Sequence, residues 1–122
     1  MWLESSNYLY GQTNNPYNVS RIVGGSSGGE GSIIGGAGSV FGVGSDIGGS
    51  IRMPAFFNGV YGHKPSSYII SNESQFPPAS GRRSDMLTTG PICRYASDLA
   101  LMFKVFSGSK YDELADNFES NV

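Results

Sequence analysis

The chain has 122 residues, and the residues that build metal and disulfide frameworks are nearly missing from it. It has one cysteine, Cys93, and one histidine, His63. A single cysteine excludes an intrachain disulfide, and the two together fall short of a structural zinc ligand set. Charge is scarce as well: 15% of the residues are charged and the formal net charge is −2. Such a chain lacks the basic footprint of a nucleic-acid binder, and no nucleic-acid partner is expected. Long apolar runs are also wanting. An uncharged run such as Gly31 to Ser45 is too short and too rich in Gly and Ser to span a bilayer. The opening Met1-Trp2-Leu3-Glu4-Ser5-Ser6 has no basic start and no apolar stretch, so no signal peptide is read there. Neither G-x-x-x-x-G-K-[ST] nor G-x-G-x-x-G occurs, and no cofactor is expected.

Glycine is in excess. There are 18, about 15% of the chain against a usual ~7%. Fourteen of them lie between Gly24 and Gly62. They have no period of three, which excludes collagen. Ile33, Ile34, Val40, Phe41, Val43, Ile47, Ile51, Phe56 and Phe57 run through the same stretch, which excludes a disordered linker.

Along the chain, Thr13-Asn14-Asn15-Pro16-Tyr17 reads as a turn. GGSSGGEG at 24–31 is a loop opening onto a helix, whose face is Ile33, Ile34, Ala37, Val40 and Phe41. Gly35, Gly36 and Gly38 in that helix cost about 1 kcal/mol each relative to alanine, which predicts that bare backbone is needed there for close approach. Phe41 to Ser45 alternates like a short buried strand. Asp46 to Gly49 is a turn, Ser50 begins or caps a helix through Phe57, and Asn58-Gly59 ends it. Val60 to His63 reads as a second strand. Residues 66–90 are loop-rich, with Pro77, Pro78 and the basic pair Arg82-Arg83. Leu99, Met102, Phe103 and Phe106 mark a last helix, begun near Ser97-Asp98 and closed by Gly108. Residues 109–122 are acidic and read as a solvated tail. Strands alternating with helices predict an α/β layer.

A G-x-S-x-G nucleophile elbow matches at Gly24–Gly28 and again one residue later. Two overlapping matches in a Gly/Ser run carry little weight. His63 is the only candidate base and Asp46 an intervening acid, with too little chain between them for a serine–histidine–acid triad. Two serine-bearing glycine turns then remain, 24–29 and 44–52. The N–H groups of Ile47, Gly48, Gly49 and Ser50 can turn inward together because glycine permits positive φ. Such a nest binds anions, and beside a nucleophile it is an oxyanion hole. The same residues also read as a tight turn with an N-cap serine.

GGSSGGEG followed by GVGSDIGGSIRMPAFFNGVYGHKPS resembles the amidase signature family. The Thr13–Asn18 lead-in and the segment Thr89-Gly90-Pro91-Ile92-Cys93-Arg94 with its following helix extend the resemblance over most of residues 1–108. It implies an α/β fold, here the central fragment of a mixed sheet flanked by helices, with a partial amidase domain at 1–108 and the tail at 109–122. The resemblance implies Ser50 as nucleophile and Ser26 as the bridging serine after a cis Gly25–Ser26 bond. Ser27 would support them by hydrogen bonding. Ile47, Gly48, Gly49 and Ser50 would form the oxyanion hole, and Asp46 and Arg52 would pair and brace the loop. GHKPS is similar to the family's animal fatty-acid amide hydrolases. That branch implies a small-molecule fatty-acid amide as substrate and membrane association of the full-length protein. The family's base is a lysine well upstream of the first serine turn, and no lysine precedes Ser26 here. Lys64, Lys104 and Lys110 do not fit that position, and Lys64 reads as structural. Three readings stay open: a fragment of a serine amidase, a catalytically dead truncated form, and a glutaminase subunit resembling the glutamyl-tRNA amidotransferase A subunit.

Overall fold

A computed structural model describes residues 3–119, with side chains through Leu114. Met1 and Trp2 of the opening segment and the last three residues of the acidic tail lie outside the described residues. The elements in chain order are β1 (Ser6–Asn7), β2 (Gly11–Gln12), α1 (Gly28–Gly35), β3 (Phe41–Asp46), α2 (Arg52–Phe57), β4 (Tyr61–Gly62), α3 (Arg82–Met86), β5 (Thr88–Cys93), α4 (Ala96–Ser107) and α5 (Ser109–Glu119). β1 and β2 form a small hairpin. The main sheet has the order β3-β5-β4, and among the described residues its pairs are antiparallel.

The strand β3 explains why the sequence tolerates so much glycine. Its inward positions are Gly42, Gly44 and Asp46, while Phe41 and Val43 face out and are exposed. A bare inner face lets the helices come close. Ile51, at the mouth of α2, takes most advantage of this. A Cβ built on Gly44 of β3 would lie 2.8 Å from its Cγ1, one on Gly62 of β4 2.8 Å from its Cγ2, and one on Gly90 of β5 3.1 Å from its Cδ1. Each strand of the sheet therefore gives one glycine to the seat of this side chain. Ile51 is fully buried and joins Ile34, Ala55, Val60 and Ile92 in the core. Gly44 and Gly90 are register partners across β3 and β5.

Helix α1 ends at Gly35 rather than running to Phe41. Ala37 adopts φ +62° and Val40 is exposed, so the apolar spacing at 33–41 merges a short helix with the first residue of a strand. The end of α1 is capped from far away: the Arg94 guanidinium donates to the carbonyls of Ile34 at 3.0 Å and Gly35 at 2.7 Å. Ser50 does not cap α2. Ile51 occupies the cap position, with no side-chain cap bond. α4 agrees with its sequence signals and stops at Gly108, which has φ +56°. The first part of the acidic tail is helical. Tyr111 of α5 packs edge-on to Phe103, and the Lys104 ammonium lies over its ring at 5.2 Å. Among the described residues no helix is long and apolar enough to cross a membrane.

The sheet seat makes a prediction about Gly90. A Cβ there would lie 2.2 Å from the His63 carbonyl oxygen, which is backbone, and 2.8 Å from Cδ of the Pro65 ring, neither of which can swing away. Gly90→Ala is expected to destabilise the fold by about 1–3 kcal/mol, the range for overpacking. The urea midpoint of the purified chain measures this.

Candidate functional site

The site is built on the turn between β3 and α2. Asp46 ends β3 and is fully buried, and its carboxylate collects the turn around itself. Oδ1 accepts the Gly49 N–H at 2.7 Å. Oδ2 accepts the Ile51 N–H at 3.1 Å and the Arg52 N–H at 3.3 Å. Arg52 closes the clamp with two more bonds, Nε to Oδ2 at 3.0 Å and Nη2 to Oδ1 at 3.0 Å. A two-pronged guanidinium–carboxylate pair fixes direction as well as distance. Burial alone would raise the Asp46 pKa, but the Arg52 side chain and the three backbone donors override it and hold the carboxyl down at about 2. Gly49 bends the turn at φ +123°, a conformation that side-chain-bearing residues rarely adopt.

This clamp sorts the expected oxyanion donors. The Gly49 N–H is taken by Asp46, which corrects the set of four inward-turned groups. Among the described residues the N–H groups of Ile47, Gly48 and Ser50 have no hydrogen-bond partner. Ser50 is buried and sits in the turn just before α2.

The second serine turn meets the first edge to edge. The Gly25–Ser26 peptide bond is cis. The Ser27 N–H donates to the Ser50 carbonyl at 3.1 Å, and Ser27 Oγ accepts the Ser45 N–H at 3.3 Å. These two bonds tie residues 26–27 to the end of β3 and to the turn itself. From the other side, Ser5 Oγ accepts the Gly28 N–H at 3.1 Å and donates to the Ser26 carbonyl at 3.3 Å. Ser5 was invisible as a site residue, because a lone serine in a polar segment carries no signal. A Cβ on Gly25 would strike the Glu4 backbone at 2.5 Å, so the N-terminal segment packs directly on the turn.

Ser26, Ser45, Ile47 and Ser50 line one cavity of about 140 Å³. This is small against the ~300–1,000 Å³ of a typical small-molecule site. Its far wall comes from the loop-rich stretch: Gln75, Phe76, Pro77, Pro78 and Ala79, with Arg83 and Leu87 below. The Phe76–Pro77 bond is cis. Asn72 staples this stretch to β5, donating to the Leu87 carbonyl at 2.8 Å and accepting from the Thr89 N–H at 3.0 Å and its hydroxyl at 2.8 Å. The other polar residues weighed from sequence lie elsewhere. His63 stacks edge-on to Phe103, with ring centroids 5.4 Å apart. Lys64 borders a separate hollow with His63 and Phe103, Lys104 lies over Tyr111, and Lys110 donates to the Tyr68 carbonyl. None of the three lysines lines the serine cavity.

The family model described as Amidase matches residues 1–119. The chain is 62% identical over 114 residues to fatty-acid amide hydrolase 2-B of Danio rerio, covering 93% of this chain and 22% of that protein. It is 64% identical over 108 residues to fatty-acid amide hydrolase 2 of Homo sapiens, covering 88% of this chain and 20% of that protein. It thus spans about a fifth of the length of these curated relatives. Among solved structures it is similar to the native peptide amidase of Stenotrophomonas maltophilia, with TM-score 0.79 and 30% identity, covering 87% of this chain and 21% of that one. It is also similar to a fatty acid amide hydrolase, with TM-score 0.73 and 37% identity, covering 94% of this chain and 20% of that one.

The clamp predicts a pH response. The Asp46 pKa is depressed from 3.8, so its contribution of about 2 kcal/mol is complete above that value and is lost as pH falls through about 2. The amide resonances of Gly49, Ile51 and Arg52 should titrate together by NMR with a midpoint near 2. Asp46→Asn should remove that transition and lower stability by about 1–3 kcal/mol, the range for weakening the acceptor of buried donors, since Arg52 itself stays half exposed.

Proposed function

The chain belongs to the amidase family, and on that premise we propose that it is a fragment of a serine amidase that hydrolyses fatty-acid amides. The observation that carries the reading is the shared cavity of Ser26 and Ser50, bordered by the turn whose Ile47, Gly48 and Ser50 N–H groups have no partner among the described residues.

In this reading Ser50 Oγ attacks the amide carbonyl carbon. Its proton passes to the Ser26 hydroxyl, and from there to a lysine outside this chain. The carbonyl oxygen gains the negative charge and is met by the unpartnered N–H groups, which stabilise charge as it develops. The C–N bond then breaks, the relayed proton goes to the amine nitrogen, and Ser50 is left acylated. Water hydrolyses the ester in a second round of the same relay and releases the acid. Asp46 and Arg52 act as positioning residues, since their bonds hold the turn and touch no reacting atom. Ser27 and Ser5 hold the bridging serine's backbone in the same way. The small cavity accommodates the reacting amide, and the acyl chain is accommodated by the larger part of the protein that the relatives possess.

The reading has two direct tests. The isolated 122 residues should show little or no amidase turnover, because the proton has no base to end on. In the full-length protein, a fluorophosphonate serine probe should label Ser50, and Ser50→Ala should abolish labelling and reduce amide hydrolysis by at least about 10³-fold. Labelling that survives Ser50→Ala would refute the assignment.

A further inference from the structure

Among the described residues, Arg83 is the one charged side chain lining the cavity that holds Ser26 and Ser50. The other cation bordering the nucleophile turn, Arg52, is consumed by Asp46. Arg83 has no such partner: among the described residues its guanidinium makes neither an ion pair nor a hydrogen bond. The acid on its own helix is engaged elsewhere. The Asp85 carboxylate accepts the Tyr68 hydroxyl, and the Asp85 carbonyl accepts the Ser67 hydroxyl. Those bonds also pin α3 in place, and the Leu87 N–H closes the turn on the Arg83 carbonyl at 2.9 Å. The backbone of Arg83 is therefore held at the cavity, while its side chain is exposed and its charge is left unspent.

Beside it the cavity wall is largely apolar, formed by Phe76, Pro77, Pro78 and Ala79. A cation at the edge of such a wall attracts anions and repels ammonium groups. Gln75 lines the same cavity, and its side-chain oxygen is buried with no partner, an arrangement that costs free energy until a donor arrives. A secondary amide brings an N–H donor, and a carboxylate brings a planar acceptor that matches the guanidinium fork.

We propose that Arg83 is a specificity-determining residue that selects amides whose amine half carries a carboxylate, the N-acyl amino acids. This rests on the amidase reading above. The acyl half of a fatty-acid amide is hydrocarbon, so the anion that answers Arg83 belongs to the amine half.

The test uses the full-length protein and two substrates with one acyl chain, N-oleoylglycine and oleamide. The readout is the ratio of their kcat/KM values. Arg83→Gln should lower the ratio of the anionic to the neutral substrate roughly two- to five-fold, the worth of one rim ion pair. Arg83→Lys should restore part of it, since it keeps the charge and loses the fork. Added NaCl should lower the ratio in the parent protein and leave it unchanged in Arg83→Gln. Hydrolysis of oleamide with a ratio insensitive to Arg83 and to salt overturns this inference and spares the amidase reading. Hydrolysis of neither amide overturns both.

Discussion

Ile51 is held against three glycines, one from each strand of the sheet, with no space left on any of the three sides. Everything the turn presents follows from this contact. Ser50 precedes Ile51, and the partnerless N–H groups of Ile47 and Gly48 lie a few residues earlier. Burying an isoleucine side chain is worth about 1.5–3 kcal/mol, and here the burial also fixes the height of the turn above the sheet. Replacing any of the three glycines would lift Ile51 and the serine with it. The cost of bare backbone in three strands is offset by a nucleophile candidate whose distance from the sheet is set by hard contact.

Packing sets distance, and the Asp46 carboxylate sets orientation. Five donors converge on its two oxygens, three from backbone N–H groups and two from Arg52. The carboxylate binds the Gly49 N–H, and among the described residues the neighbouring N–H groups of Ile47, Gly48 and Ser50 have no partner. In the proposed reaction, a negative charge buried under the turn would organise donors for the negative charge that forms above it. The Ser27 bonds to Ser45 and Ser50 carry the same frame across to the second serine.

Much of this was legible in the residues, and the limits have physical causes. The order of the DIGGS turn, the cis bond before Ser26, the Asp46–Arg52 pair, and the α4 helix with its Gly108 stop agree with sequence expectation. The extent of α1 does not. Its apolar spacing continues to Phe41, but four glycines in eight helical residues and a left-handed Ala37 let the chain leave the helix early. The cap role expected of Ser50 also failed, because its side chain borders the cavity instead of turning back on α2. The cavity's second wall was not readable at all. Residues 72–79 have no periodicity, and what aims them is a side-chain staple, Asn72 on Thr89 and Leu87, formed between segments distant in sequence.

The long reach of Arg94 to the end of α1 has a consequence for how the chain folds. Eight residues with four glycines are far below the length at which a helix persists alone, since about 12–15 good helix formers are marginal in water. The cation that satisfies the last carbonyls of α1 arrives from sixty residues later in the chain. α1 is thus a product of the assembled sheet and not one of its nuclei. Contacts of such high sequence separation form late and slowly, because loop closure must be met first. The serine turn at the head of α1 is completed near the end of folding, so a chain that has reached its site has already built the sheet beneath it.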